Sequence, residues 1–149
     1  MIRRSSFAAV AAAFLLSSAA HAGDAKLMHC FAWTSIQSAS QADWSAFFKT
    51  SDALPSKIKG ITHVWYGKLA NPLSQYSVTA EGDAQQKLRA GETVTAPVKR
   101  LARDWGMCME MKGPDALKAY DTDAYHKTWT AAYEKVRVEG TTTFNILGQ

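Results

Sequence analysis

An α+β fold of ferredoxin-like type, an antiparallel sheet with helices on one face, is predicted by the order of apolar patterns along the chain: strand, helix, strand, strand, helix, helix, strand. The second observation is the segment Leu27 to Trp33, where His29, Phe31 and Trp33 alternate with Met28, Cys30 and Ala32. The third is its counterpart, in which Trp105, Met107, Met109 and Met111 alternate with Gly106, Cys108 and Glu110. The large faces suit a layer of helices. The small faces carry Cys30, Ala32, Gly106 and Cys108 and have no cover within the chain, so a second copy of the sheet is the expected lid and a homodimer the expected assembly.

Each element has its own signals. After the first strand, Ser38 or Ser40 can cap a helix in which Trp44, Phe47, Phe48 and Ser51 keep the inward spacing, and Leu54-Pro55 is expected to end it. Gly60 releases a second strand, ITHVWYGK. Residues 69–103 are punctuated by Pro72, Ser74, Gly82, Gly91 and Pro97 and have weak periodicity, which predicts a long inserted loop with one short helix. The third strand covers Trp105 to Met111. Gly113-Pro114 then opens a short helix, PDALKAY, with Leu117 and Tyr120 on one face. Asp121, Thr122 and Asp123 favour capping, and from Asp123 a new helix sets Tyr125, Trp129, Tyr133 and Val136 at helical spacing. Gly140 leads into the last strand, TTTFNIL.

The stretch Tyr120 to Trp129 sets a phenol and an imidazole six residues apart across a helix start. Tyr120 faces inward. His126 falls in the first turn of the new helix, at the border of its apolar stripe, where it should be half-buried. Partial desolvation and the positive end of the helix dipole favour a neutral imidazole able to accept a proton. Such a pair suits acid–base chemistry next to a carbonyl, with His126 as base and Tyr120 as hydrogen-bond donor to the oxyanion. The alternative is a histidine that only caps and packs.

Residues 1–22 read as a secretory signal: Arg3 and Arg4, an apolar run from Phe7 to Leu16, and a small-x-small site that places cleavage after Ala22. Export to the periplasm or the outside is the expectation. No later stretch approaches the ~20 apolar residues of a membrane span, so no stable membrane insertion is expected of residues 23–149, which have the length of one domain. Losing Arg3 and Arg4 lowers the formal net charge from +4 to +2. That excess is too small for a nucleic-acid footprint, and Lys99, Arg100 and Arg103 make only a local cluster. All 5 Trp and 5 Tyr lie beyond the leader, which implies a dense aromatic core, a ring-lined pocket, or both.

Other chemistries find little support. His29, His63 and His126 fall in three separate elements without ligand spacing, so no metal and no cofactor are expected. The row of Met107, Met109 and Met111 reads as core filling. Cys30 and Cys108 share the small face of strands that should be neighbours, and in an oxidising compartment they form either a disulfide or a pair of small buried thiols.

Three separated segments carry a resemblance to a known family. His29 opens the first strand, VWYGK at Val64 to Lys68 forms the second strand and its glycine, and Tyr120 with His126 matches the tyrosine and final histidine of a Y-x-x-H-P-x-H element. In these features the chain resembles the stress-responsive A/B barrel domain family, dimeric ferredoxin-like α/β barrels that include plant stress proteins and olivetolic acid cyclase. The resemblance implies a homodimer closing into a barrel, and a cavity flanked by Tyr120 and His126 with the histidine as base. Asp123 and Ala124 replace the first histidine and the proline of that element, and Trp105 stands near where the cyclase has another cavity histidine.

Two functions follow from these readings. One is an exported, noncatalytic dimer that binds a small apolar or aromatic ligand in a cavity lined by His29, Phe31, Trp33 and Trp105. The other is a small cyclase or isomerase using His126 and Tyr120. Fold alone does not choose between them.

Overall fold

The computed structural model describes residues 25–148. The expected leader, with its expected cleavage after Ala22, lies outside them. Four strands and four helices follow one another as β1 (Leu27–Ser35), α1 (Gln41–Lys57), β2 (Ile61–Val78), α2 (Asp83–Arg89), β3 (Val98–Met111), α3 (Pro114–Thr122), α4 (Ala124–Tyr133) and β4 (Arg137–Leu147). The strands form one antiparallel sheet in the order β2-β3-β1-β4, which is the ferredoxin-like arrangement.

Helices α1, α3 and α4 cover one face of the sheet. Between them and the sheet lie Phe31, Trp33, Phe47, Leu54, Ile58, Met107, Met109, Met111, Tyr120, Trp129, Tyr133 and Val136. The methionine row is core, as its alternation in β3 implies, and its three side chains are all but fully buried. Trp33 packs edge-on to Phe47 and Tyr133 at centroid distances of 5.6 and 5.0 Å. Trp129 Nε1 donates to Ser51 Oγ at 3.0 Å, tying α4 to α1 through a buried hydrogen bond.

Of the two serines that might cap α1, Ser40 does so, in a capping box closed by Asp43. The Ser40 hydroxyl and backbone N–H hold the Asp43 carboxyl below the usual carboxylate range. Leu54-Pro55 does not end the helix; it continues to Lys57 with Pro55 inside its last turn. The proline forfeits one backbone hydrogen bond there, while Leu54 and Ile58, both buried, hold that turn against the core. Gly60, at φ +101°, makes the turn into β2, where a Cβ would lie 2.6 Å from Ala116 Cβ. Asp123 caps α4, its Oδ1 accepting from the Tyr125 N–H at 2.7 Å. The last strand begins earlier than Gly140 suggests, at Arg137, and Gly140 sits within it at φ +92°.

Residues 69–103 correct the sequence reading most. They are not a loop: β2 and β3 continue far beyond the sheet as an antiparallel arm, pairing Leu73 with Arg103 through Val78 with Val98, and α2 closes its tip. Three surplus residues bulge out of β2 where the register shifts between Lys68 and Leu73. The arm is held by polar side chains, not by apolar alternation, which is why its pattern is faint. Arg100 Nε and Nη2 donate to Ser74 Oγ at 3.1 and 2.7 Å, Arg103 donates to Thr142 and Thr34, and Thr142 bonds Gln75.

The small-residue face is also less bare than expected. Trp65, Cys108, Cys30 and Phe144 stand in one cross-strand row, with Gly67, Gly106, Ala32 and Thr142 in the next. Cys30 and Cys108 are joined as a disulfide. Leu69, from the bulge, reaches over Gly106, and Cys30 and Ala32 are already buried within one chain. Trp65, Phe144 and Ile146 on the same face remain about half exposed. Among the described residues no helix is long and apolar enough to cross a membrane.

Candidate functional site

Tyr120 lies in the last turn of α3 and His126 in the first turn of α4, and Asp123, which ends the one and caps the other, is the corner that folds them back beside each other. The two rings meet at a centroid distance of 4.1 Å. His29, on the helix-facing side of β1, approaches the Tyr120 ring at 5.9 Å. The three surround a cleft of about 180 Å³ whose walls also include Phe31, Asp121, Trp129, Tyr133, Thr141 and Thr143. His126 is half-buried and lies nearly parallel to Trp129 at 5.8 Å.

The polar atoms of the cleft divide into fixed and free. His29 Nδ1 lies 2.7 Å from Asn145 Oδ1, and with the amide oxygen accepting, the Nδ1–H is the donor. Tyr133 shares a hydrogen bond of 3.3 Å with Thr141. Among the described residues neither the Tyr120 hydroxyl nor the His126 ring has a hydrogen-bond partner. Burial, with smaller contributions from Asp121 and Tyr133, raises the Tyr120 pKa well above that of an ordinary phenol. Burial likewise pushes Tyr133 up to about 12, against the opposing pull of its bond to Thr141 and of Arg137 and Arg103. Both phenols therefore stay protonated at neutral pH, and Tyr120 can donate to a ligand oxygen.

Not every candidate residue meets here. His29, Phe31, Tyr120 and His126 converge. Trp33 is fully buried in the core, and Trp105 stacks on Trp44 at 4.3 Å, where it lines a separate groove with Phe48 and Gln37. Trp33 and Trp105 stand toward the opposite end of β1 and β3 from His29, so the shared large face that suggested them does not bring them to one cavity. His63 lies in β2 beside Trp65, 4.2 Å between centroids, away from the cleft. Among the described residues no cluster of three or more His, Cys, Asp or Glu is placed to hold a metal. Sequence reasoning missed Asp121, Thr141, Thr143 and Asn145; a strand with TTTFN facing His29 across the β1–β4 ladder carries that signal once the register is known.

No family model and no curated protein sequence matches the chain significantly. Solved structures do. A dabb (dimeric A/B barrel) family protein with a ferredoxin-like fold from Mesorhizobium loti superposes with a TM-score of 0.53 at 13% identity, over 84% of this chain and 98% of the other. A dimeric protein of unknown function and ferredoxin-like fold from Bacteroides fragilis gives 0.52 at 16% identity, over 82% and 95%. The chain has the fold of the dimeric ferredoxin-like A/B barrel proteins. A hydroxynitrile lyase from Passiflora edulis also shares it, with a TM-score of 0.56 at 6% identity over 85% and 95%. At these identities the likeness is one of fold, and several of the proteins that share it are dimers of unknown function.

Proposed function

We propose that this protein is an exported, dimeric member of the stress-responsive A/B barrel family that binds a small aromatic or apolar ligand in the cleft between Tyr120, His126 and His29. The convergence of those three side chains, with the Tyr120 hydroxyl and the His126 ring having no hydrogen-bond partner among the described residues, carries the reading. The cleft is small, below the ~300–1,000 Å³ of drug-sized sites, so the ligand is one ring or a short chain with a single oxygen to bond. Export rests on the leader and agrees with the Cys30–Cys108 bond, since disulfides persist in oxidising compartments. Dimerisation rests on the half-exposed Trp65, Phe144 and Ile146 of the open face and on the dimeric proteins of the same fold.

One observation favours the catalytic alternative. Tyr120 is held as a phenol in contact with an imidazole, the arrangement in which His126 removes a proton next to a carbonyl while Tyr120 hydrogen-bonds the developing oxyanion. Native mass spectrometry of the purified protein after incubation with mixed aromatic and aliphatic carbonyl compounds tests both readings. Retained adducts that disappear in His126→Ala support binding, and deuterium wash-in beside the carbonyl in heavy water adds catalysis. The absence of any retained compound removes both.

A further inference from the structure

The cleft at Tyr120, His126 and His29 is electrically lopsided. Apart from its two imidazoles, which titrate, the one side chain on its walls with a formal charge is Asp121, and no lysine or arginine lines it. Asp121 follows Tyr120 in the last turn of α3 and stands exposed at the rim. Among the described residues it makes no ion pair. Its charge is felt inside. After burial, the Asp121 carboxylate is the next cause that raises the Tyr120 pKa, so its field reaches the hydroxyl to which a ligand oxygen would bond.

The positive groups of the surrounding elements are answered elsewhere. Lys118 of α3 pairs with Asp115, and Arg137 of β4, lying over the Tyr133 ring at 4.9 Å, pairs with Glu134. Arg103 of β3 donates to Thr34 and Thr142. Lys127 of α4 is exposed and does not line the cleft. The positive N-terminal end of α4 is met by Asp123, whose carboxylate accepts from the Tyr125 N–H.

Charge therefore separates ligands of the same shape. A carboxylate bonded to the Tyr120 hydroxyl would bring a second anion beside Asp121, partly desolvated and with no cation on the walls to balance it. A ketone or aldehyde oxygen accepts the same hydrogen bond without that repulsion. One misplaced like charge is enough to discriminate between two otherwise similar partners.

We propose, resting on the cleft as a binding site, that Asp121 sets its ligand class: a small aromatic compound held through a neutral carbonyl oxygen, with the corresponding carboxylate turned away. Acetophenone and benzoate are direct probes, since they share a ring and differ in charge at the group that meets Tyr120. Binding is followed through the imidazole resonances of His29 and His126 at pH 8, above the ordinary histidine value of ~6.5, where the rings carry little charge of their own. Acetophenone should bind the unaltered protein about tenfold more tightly than benzoate, and Asp121→Asn should narrow that ratio about fivefold, without loss of melting temperature because the side chain is exposed. Asp121→Glu, which keeps the charge, should preserve the ratio. Equal binding of the two compounds, or a ratio that survives intact in Asp121→Asn, would overturn the role of Asp121 while leaving the cleft a binding site. If neither compound moves the two histidines, the binding site itself falls, and the selectivity with it.

Discussion

Tyr120 and His126 are adjacent because a corner of three short polar residues ends one helix and caps the next. That much was legible in the sequence, since Asp123 favours a cap and Tyr120 and His126 flank it. Their partner His29 was legible only as one of three large residues on a strand face, and Phe31 as another. Trp33 and Trp105 share that face yet belong to the core and to a different groove, because period two gives the face and says nothing of position along it. At this scale His126→Ala should abolish ligand retention with little change in melting temperature, and Tyr120→Phe, losing only the hydroxyl, should weaken it by about 1 kcal/mol, read as an approximately fivefold rise in Kd.

The buried phenols carry a second prediction. Tyr66, which donates to Asp52 Oδ1 at 2.6 Å, is pushed up to about 12 by burial first and by Asp52 second; Tyr133 is at about 12, and Tyr120 is raised as well. Above pH ~10 the unfolded chain releases these protons while the folded chain keeps them, so the folded state binds more protons and stability falls as pH rises. Their contribution is complete below pH 10 and is lost from there through about 12. Absorbance at 295 nm should show these three of the five tyrosines ionising late and together with unfolding. An alkaline titration complete near pH 10 in a still-folded protein would contradict the burial.

Among the elements, the arm of β2 and β3 was the least legible. Its bonds run between side chains far apart in sequence, Gln75 with Thr142 and Arg103 with Thr34, and no local period records them. Of the residues that read as loop, Pro72 marks the bulge and Gly82, Gly91 and Pro97 the tip, where α2 turns the chain, while Ser74 lies within the paired arm. Arg103 is buried and anchors the arm to β1 and β4, so Arg103→Ala should free the arm without unfolding the sheet. Hydrogen exchange would show this as faster exchange in residues 73–78 and 98–102 with unchanged protection in residues 107–111. The capping box of α1 is ordinary by contrast, and Ser40→Ala should lower the melting temperature by a few degrees.

In the whole molecule, the order of strands and helices was readable because each large-faced strand and each capped helix announces its own boundary. The covering of the open face was not, since it depends on a bulge of three residues that only the register reveals. The Cys30–Cys108 bond spans 78 residues and ties the two central strands. By the chain-entropy account it stabilises by ~4 kcal/mol, so a Cys30→Ala/Cys108→Ala variant should unfold at markedly lower denaturant. Light scattering should give the mass of a dimer at micromolar concentration, and charge placed at Trp65 or Phe144 should convert it to a monomer that still folds. The central claim, a ligand site at Tyr120, His126 and His29, is tested most directly by following the imidazole proton resonances during titration with the compound that mass spectrometry retains. The account predicts that the signals of His29 and His126 shift together and saturate, while that of His63 stays in place. Movement of His63 with His29 and His126 unmoved would contradict it.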